Sequence, residues 1–219
     1  MKKSIKNVRR AKKAWVTINK NLGFSHDTLV PDIRGIKTYE ESEKKKEIRT
    51  EVVEACKALP KNDLPIVSLT SHECLQELAI IEALPDTQFH AVEADFDTFR
   101  YLMLKKIKHN WAFLVSLVYA PISNIIYTSR ANSYRAMLLD YCETIKVYGN
   151  EIAHAITNDL VVKNGFIYIT LCQRAGGNDT QKQVFDLVRK YGKGRYKIVY
   201  DKGYRDGAPM YSAIIKRIK

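Results

Sequence analysis

The sequence predicts an α/β fold: a sheet of about seven strands, mostly parallel, ending in an antiparallel C-terminal hairpin strand, with helices on both faces and further helices at the N-terminus. Three observations carry this. From Ile66 onward, short apolar runs alternate with segments of helical periodicity, as in strands joined by crossover helices. The last two apolar runs have no room for a helix between them and must pair as a hairpin. A chain of 219 residues, 46% of them apolar, is large enough for one substantial core.

The elements follow in order. In the first 22 residues Ile5, Val8, Ala11, Trp15, Ile18 and Leu22 recur at helical steps opposite a face of Lys and Arg. Such a helix can dock on the main domain through Trp15, lie on nucleic acid or rest on an anionic membrane. Pro31 and Gly35 mark a connector. Thr38 and Glu41 form a capping-box start for a second helix running to about Leu59, with Ile48, Val52, Ala55, Cys56 and Leu59 as its buried stripe and Pro60 as its stop. Residues 1–60 therefore read as a basic helical extension and 61–219 as the main domain. In that domain Ile66 to Thr70 is the first strand and Glu73 to Leu84 its helix. Phe89 to Glu93 is the second strand, followed by a helix near Phe96 to Lys106. Trp111 to Tyr119 and Ala136 to Tyr141 are the third and fourth strands. A helix from Gly149 to Leu160 and a Lys163-Asn164-Gly165 turn lead to the fifth, Phe166 to Leu171. Thr180 to Tyr191 is helical, and Tyr196 to Tyr200 pairs with Met210 to Ile215 across a segment containing Gly203, Gly207 and Pro209.

Charge is unevenly placed. The net +12 resides at the two ends: residues 1–20 hold eight Lys/Arg and no acids, residues 182–219 eleven against three, and the middle is mildly acidic. Ends of this kind, if adjacent in the fold, form a patch for phosphate-rich partners. No run approaches 18 apolar residues and no cleavage site follows the basic start, so the expectation is a cytoplasmic protein without stable membrane insertion. The four cysteines lack zinc-finger spacing, which favours reduced thiols and no metal.

The most informative stretch is 134–144, where an apolar run delivers Asp140, Tyr141 and Cys142 at a strand's carboxyl end, the end that faces the ligand crevice in open α/β sheets. Five strand-helix units and a terminal hairpin, with Ala-Val-Glu-Ala-Asp around Glu93, Leu-Leu-Asp-Tyr-Cys-x-Thr at 138–144 and Lys-Asn-Gly-Phe-Ile-Tyr-Ile-Thr-Leu at 163–171, resemble the class I S-adenosylmethionine-dependent methyltransferases over about residues 60–219. The fourth-strand motif resembles a variant in proteins encoded by phages, viruses and other mobile elements, which would place the chain in a host cytoplasm. The resemblance implies S-adenosylmethionine as cofactor and a Rossmann-like sheet. It also implies that Glu93 holds the ribose hydroxyls, that Thr70 and Ser71 line the cofactor, that Asp140 approaches the methyl-donor amine or the substrate, and that Tyr141 flanks the reacting group. The family's glycine-rich loop after the first strand is replaced by Ser68-Leu69-Thr70-Ser71-His72-Glu73, and no glycine occurs between Gly35 and Gly149. The fold can thus also be one retained without catalysis, serving to bind nucleic acid or protein.

Cys142 and Cys172 end neighbouring strands, resembling the two thiols of some RNA cytosine methyltransferases, although the usual proline before the first is Tyr141. Buried small hydrophobes are the other reading. His72 is a candidate base or a helix cap. Lys190 to Tyr196 interleaves cations with aromatics, so Lys190, Lys193 and Arg195, with Lys12, Lys13 and Arg174, are the candidate contacts to nucleic acid, DNA or RNA.

Overall fold

The computed structural model describes residues 42–71, 73–141, 143–173 and 179–219. The expected N-terminal helix, the Thr38–Glu41 start signal, Lys12, Lys13, His72, Cys142 and Arg174 lie outside them. The first described helix is α1 (Glu43–Lys57), begun by Ser42, whose hydroxyl accepts from the Lys45 amide at 3.3 Å. Ile48, Val52 and Cys56 recur every four residues and are buried. There follow β1 (Ile66–Leu69), α2 (Leu75–Ala83), β2 (Phe89–Glu93), α3 (Phe96–His109), β3 (Leu114–Tyr119), α4 (Ile122–Thr128), β4 (Tyr134–Asp140), α5 (Ile145–Thr157), β5 (Val161–Cys172), α6 (Asp179–Gly192), β6 (Tyr196–Asp206) and β7 (Ala208–Arg217).

All seven strands form one sheet in the order β3-β2-β1-β4-β5-β7-β6. β1 to β5 pair in parallel, and β7 runs antiparallel to both of its neighbours, so β6 points the same way as β5. Because side chains alternate across a strand, the sheet has two apolar faces. On one, Ile66, Ala91, Ala136, Leu138 and Phe166 share a core with Ile48, Val52 and Cys56 of α1 and with Ile80 and Leu102 of the next two helices. On the other, Val67, Met137, Leu139, Ile167 and Ile169 pack with residues of α4, α5 and α6. Helix α1 is also pinned to β6 by Lys202 to Glu47 at 2.6 Å and Lys45 to Asp206 at 3.4 Å.

Several elements differ from the sequence reading. The third strand starts at Leu114 because α3 runs on to His109 and ends on Asn110 in the left-handed conformation (φ 54°), which turns the chain through Trp111. Helix α4 has no counterpart in the expected elements; seven residues after Pro121 are too few for periodicity to register. Helix α5 starts four residues before Gly149, at Ile145 behind Thr144. The hairpin is tight: Asp206 pairs with Ala208 around Gly207 at φ 69°, and Gly203 lies inside β6. Among the described residues no helix is long and apolar enough to cross a membrane.

Candidate functional site

Strand order reverses at β1, which lies between β2 and β4. A crevice outside the carboxyl ends of these strands is where open α/β sheets bind ligands. From β1 that end receives Ser68, Leu69, Thr70 and Ser71. Ser68 and Thr70 are buried, and both hydroxyls donate to the same oxygen, Oε1 of Glu77, with 2.8 Å from Thr70 Oγ1. Glu77 comes from the first turn of α2 and is 1% exposed. Burial raises its pKa, the two hydroxyls oppose the shift, and the nearby Asp140 adds to it. No cation pairs with Glu77 among the described residues. The loop joining β1 to α2 lacks glycine, and Cys74 takes its place conformationally: the residue before α2 has φ 54°, with its side chain buried and Sγ 3.6 Å from the Ser71 carbonyl.

Two further acids flank β1. Glu93 ends β2 half-buried; its Oε1 accepts from the Asp95 amide at 2.7 Å, and burial raises its pKa. Asp140 ends β4 exposed and accepts a hydrogen bond from Thr170, its register partner on β5. The same rim carries Asp95, which caps α3 through the Thr98 amide at 2.8 Å, and the exposed Asp97 and Glu143. At the ends of β2 and β3, exposed Phe96 and Tyr119 meet at 5.4 Å between ring centres, with Phe99 5.5 Å from Tyr119.

The structure thus brings Glu93, Asp140, Thr70 and Ser71 to the carboxyl ends of three neighbouring strands, and it modifies two expectations. Thr70 has given its hydroxyl to Glu77, leaving Ser71 as the exposed hydroxyl of the loop. Tyr141, expected beside the reacting group, is turned into the core: it is 2% exposed, stacks on Tyr148 at 3.8 Å and donates to Glu151 Oε2 at 2.8 Å. Burial, then the Glu151 charge, push its pKa far up, so the hydroxyl keeps its proton. Cys56 and Cys74 are not activated either. Burial raises Cys56 to about 12 and pushes Cys74 up as well, and Cys172 is 1% exposed.

The basic candidates among the described residues are not at the carboxyl edge. Lys190, Lys193 and Arg195 close α6 and precede β6, at the amino edge of the parallel strands. A seven-residue strand such as β4 separates the two edges by roughly 20 Å. Arg195 is moreover committed to Asp159, which Arg217 also approaches at 3.3 Å. Charge in the sequence marks cations without saying which strand end they occupy. Glu77 and Thr170 carry no sequence signal for a related reason: one of two acids in the largely apolar segment 75–83 and a threonine inside a strand become site residues only through the packing of distant segments.

A rim rich in carboxylates suits a ligand that carries positive charge and hydroxyl donors. Among the described residues no group of His, Cys, Asp and Glu is arranged to hold a metal ion. The sequence matches no family model and no curated protein. The fold, however, is that of class I methyltransferases. An rRNA methylase from Streptococcus thermophilus aligns with TM-score 0.55 and 12% identity over 83% of this chain and all of that one. TYW2 of P. horikoshii, in complex with MeSAdo, aligns at 0.56 and 13% over 83% of this chain and 66% of its own. TYW2 of M. jannaschii, in complex with AdoMet, aligns at 0.52 and 11% over 84% and 80%.

Proposed function

We propose that the crevice binds S-adenosylmethionine and that the protein transfers a methyl group to nucleic acid. The observation that carries this reading is the placement of Glu93 and Asp140 at the ends of β2 and β4, on either side of β1 at the point where strand order reverses. The donor set fits the cofactor: a half-buried carboxylate can accept from ribose hydroxyls, and an exposed one can hold an ammonium or sulfonium charge. When bound, the cofactor supplies an electrophilic methyl group on sulfur. The chain's own contribution is positional. Glu93, oriented by the Asp95 amide, fixes one end of the ligand, and Asp140, oriented by Thr170, fixes the other. Tyr141 acts through packing, holding the β4 exit against α5, rather than by touching substrate. The names of the fold relatives, rRNA methylases among them, support nucleic acid as the acceptor class.

A second reading rests on the loop after β1: with no glycine and with the Ser68 and Thr70 hydroxyls spent on Glu77, the fold can serve binding alone. Methyl-labelled S-adenosylmethionine incubated with the full chain and structured RNA separates the two. The methyltransferase reading expects label in the RNA and a loss of about tenfold to hundredfold in Asp140→Asn. RNA that binds yet stays unlabelled under all acceptors tried would favour the second reading.

A further inference from the structure

Charge is unevenly shared between the two edges of the sheet. The carboxyl edge holds the acids described above, whereas the amino edge at β5, β6 and β7 collects Lys163, Lys193, Lys197, Lys216 and Lys219. Four of these lysines are exposed and Lys216 is partly so. None of the five has a carboxylate partner among the described residues. Asp159, four residues before Lys163, is already taken up by Arg195 and Arg217, and Asp201, four residues after Lys197, accepts from Gln181 at 2.6 Å. Lys197 and Lys216 face each other in register across β6 and β7 and line a groove of about 340 Å³, together with Asn164 and an apolar floor that includes Phe166 and Ile214.

We propose that this amino edge is a docking surface for the phosphodiester backbone of a nucleic acid, separate from the crevice and facing away from it. Unpaired lysines on one rigid edge are what counterion release exploits: each phosphate contact frees a condensed ion, and sequence is not read. Asn164 offers an amide donor beside them, at a position held in the left-handed conformation (φ 65°) by the β5 fold. An anionic membrane is less suited than nucleic acid because Val199 is the one large apolar side chain exposed on β6 and β7. A backbone held here lies roughly 20 Å from the crevice, so an acceptor base reaches the crevice only in a nucleic acid that is folded or long. The docking surface does not depend on methyl transfer.

The test uses the full chain, a fluorescent structured RNA and a salt series. Lys163→Gln/Lys197→Gln/Lys216→Gln/Lys219→Gln is compared with Lys44→Gln/Lys46→Gln/Lys57→Gln/Arg189→Gln, which removes the same charge from residues paired with carboxylates elsewhere. The edge variant is expected to bind at least about tenfold more weakly, with the salt slope reduced by roughly 3, while the second variant stays near the parent. Both should melt as the parent does and bind S-adenosylmethionine equally. Equal losses in the two variants, undiminished binding in the edge variant, or affinity for phosphatidylserine vesicles in place of RNA would each overturn the proposal. Failure of methyl transfer would leave it standing.

Discussion

A carboxyl that is 1% exposed, and whose one oxygen receives two buried hydroxyls, holds its proton more tightly than glutamate in water, because burial outweighs the hydrogen bonds. For Glu77 the folded state therefore binds a proton that the unfolded chain releases near 4.5. Stability linked to this group is intact below that pH and is lost as pH rises from 4.5 through the raised folded value. Glu77→Gln keeps an acceptor for Ser68 and Thr70 and removes the charge, so urea unfolding should show a flatter pH profile over that window and no loss at neutral pH. Glu77→Ala strands two hydroxyls and should destabilise by about 2–4 kcal/mol. A Gln variant that keeps the parent's pH profile would contradict the assignment. Tyr141→Phe removes one hydrogen bond to Glu151 and should lower stability by about 1 kcal/mol, leaving cofactor affinity within about threefold. A larger loss of affinity would return Tyr141 to the reacting centre.

Among the elements, β5 makes the sharpest demand on sequence. Its register against β4 jumps from Val161 opposite Tyr134 to Phe166 opposite Ala136, and the slack is taken up at Asn164 and Gly165. A Cβ on Gly165 would lie 2.3 Å from the Arg135 carbonyl oxygen and 2.8 Å from that of Val162, both backbone atoms. Gly165→Ala should thus destabilise by about 3 kcal/mol, read as a shifted urea midpoint with unchanged slope. The Lys163-Asn164-Gly165 signal was legible as a turn, but not as one inside a strand, because local residues do not reveal the register of a distant partner. The same limit explains α4, which is stabilised by burying Ile122 and Ile126 rather than by its own length. Long periodic elements such as α6, by contrast, could be read to within a residue of Asp179–Gly192.

At the scale of the molecule, the order of elements along the chain and the two acids at strand ends were legible in outline. The alternation of runs implied the sheet, and Glu93 and Asp140 stood at strand ends in the sequence as they do in the structure. The antiparallel final strand was legible as well, but not its insertion between β5 and β6, which puts Lys216 and Lys219 at the amino edge beside Lys193 and Lys197. Under the two proposals each edge has its own task, a cationic ligand on one and a polyanion on the other. The central claim is that the carboxyl-edge crevice holds the methyl donor. Calorimetric titration of the full chain with S-adenosylmethionine, repeated on Glu93→Ala, tests it most directly. Saturable binding of one cofactor per chain, weakened at least about tenfold in the variant, is the predicted result. No binding at millimolar cofactor, or equal affinity of parent and variant, would contradict it.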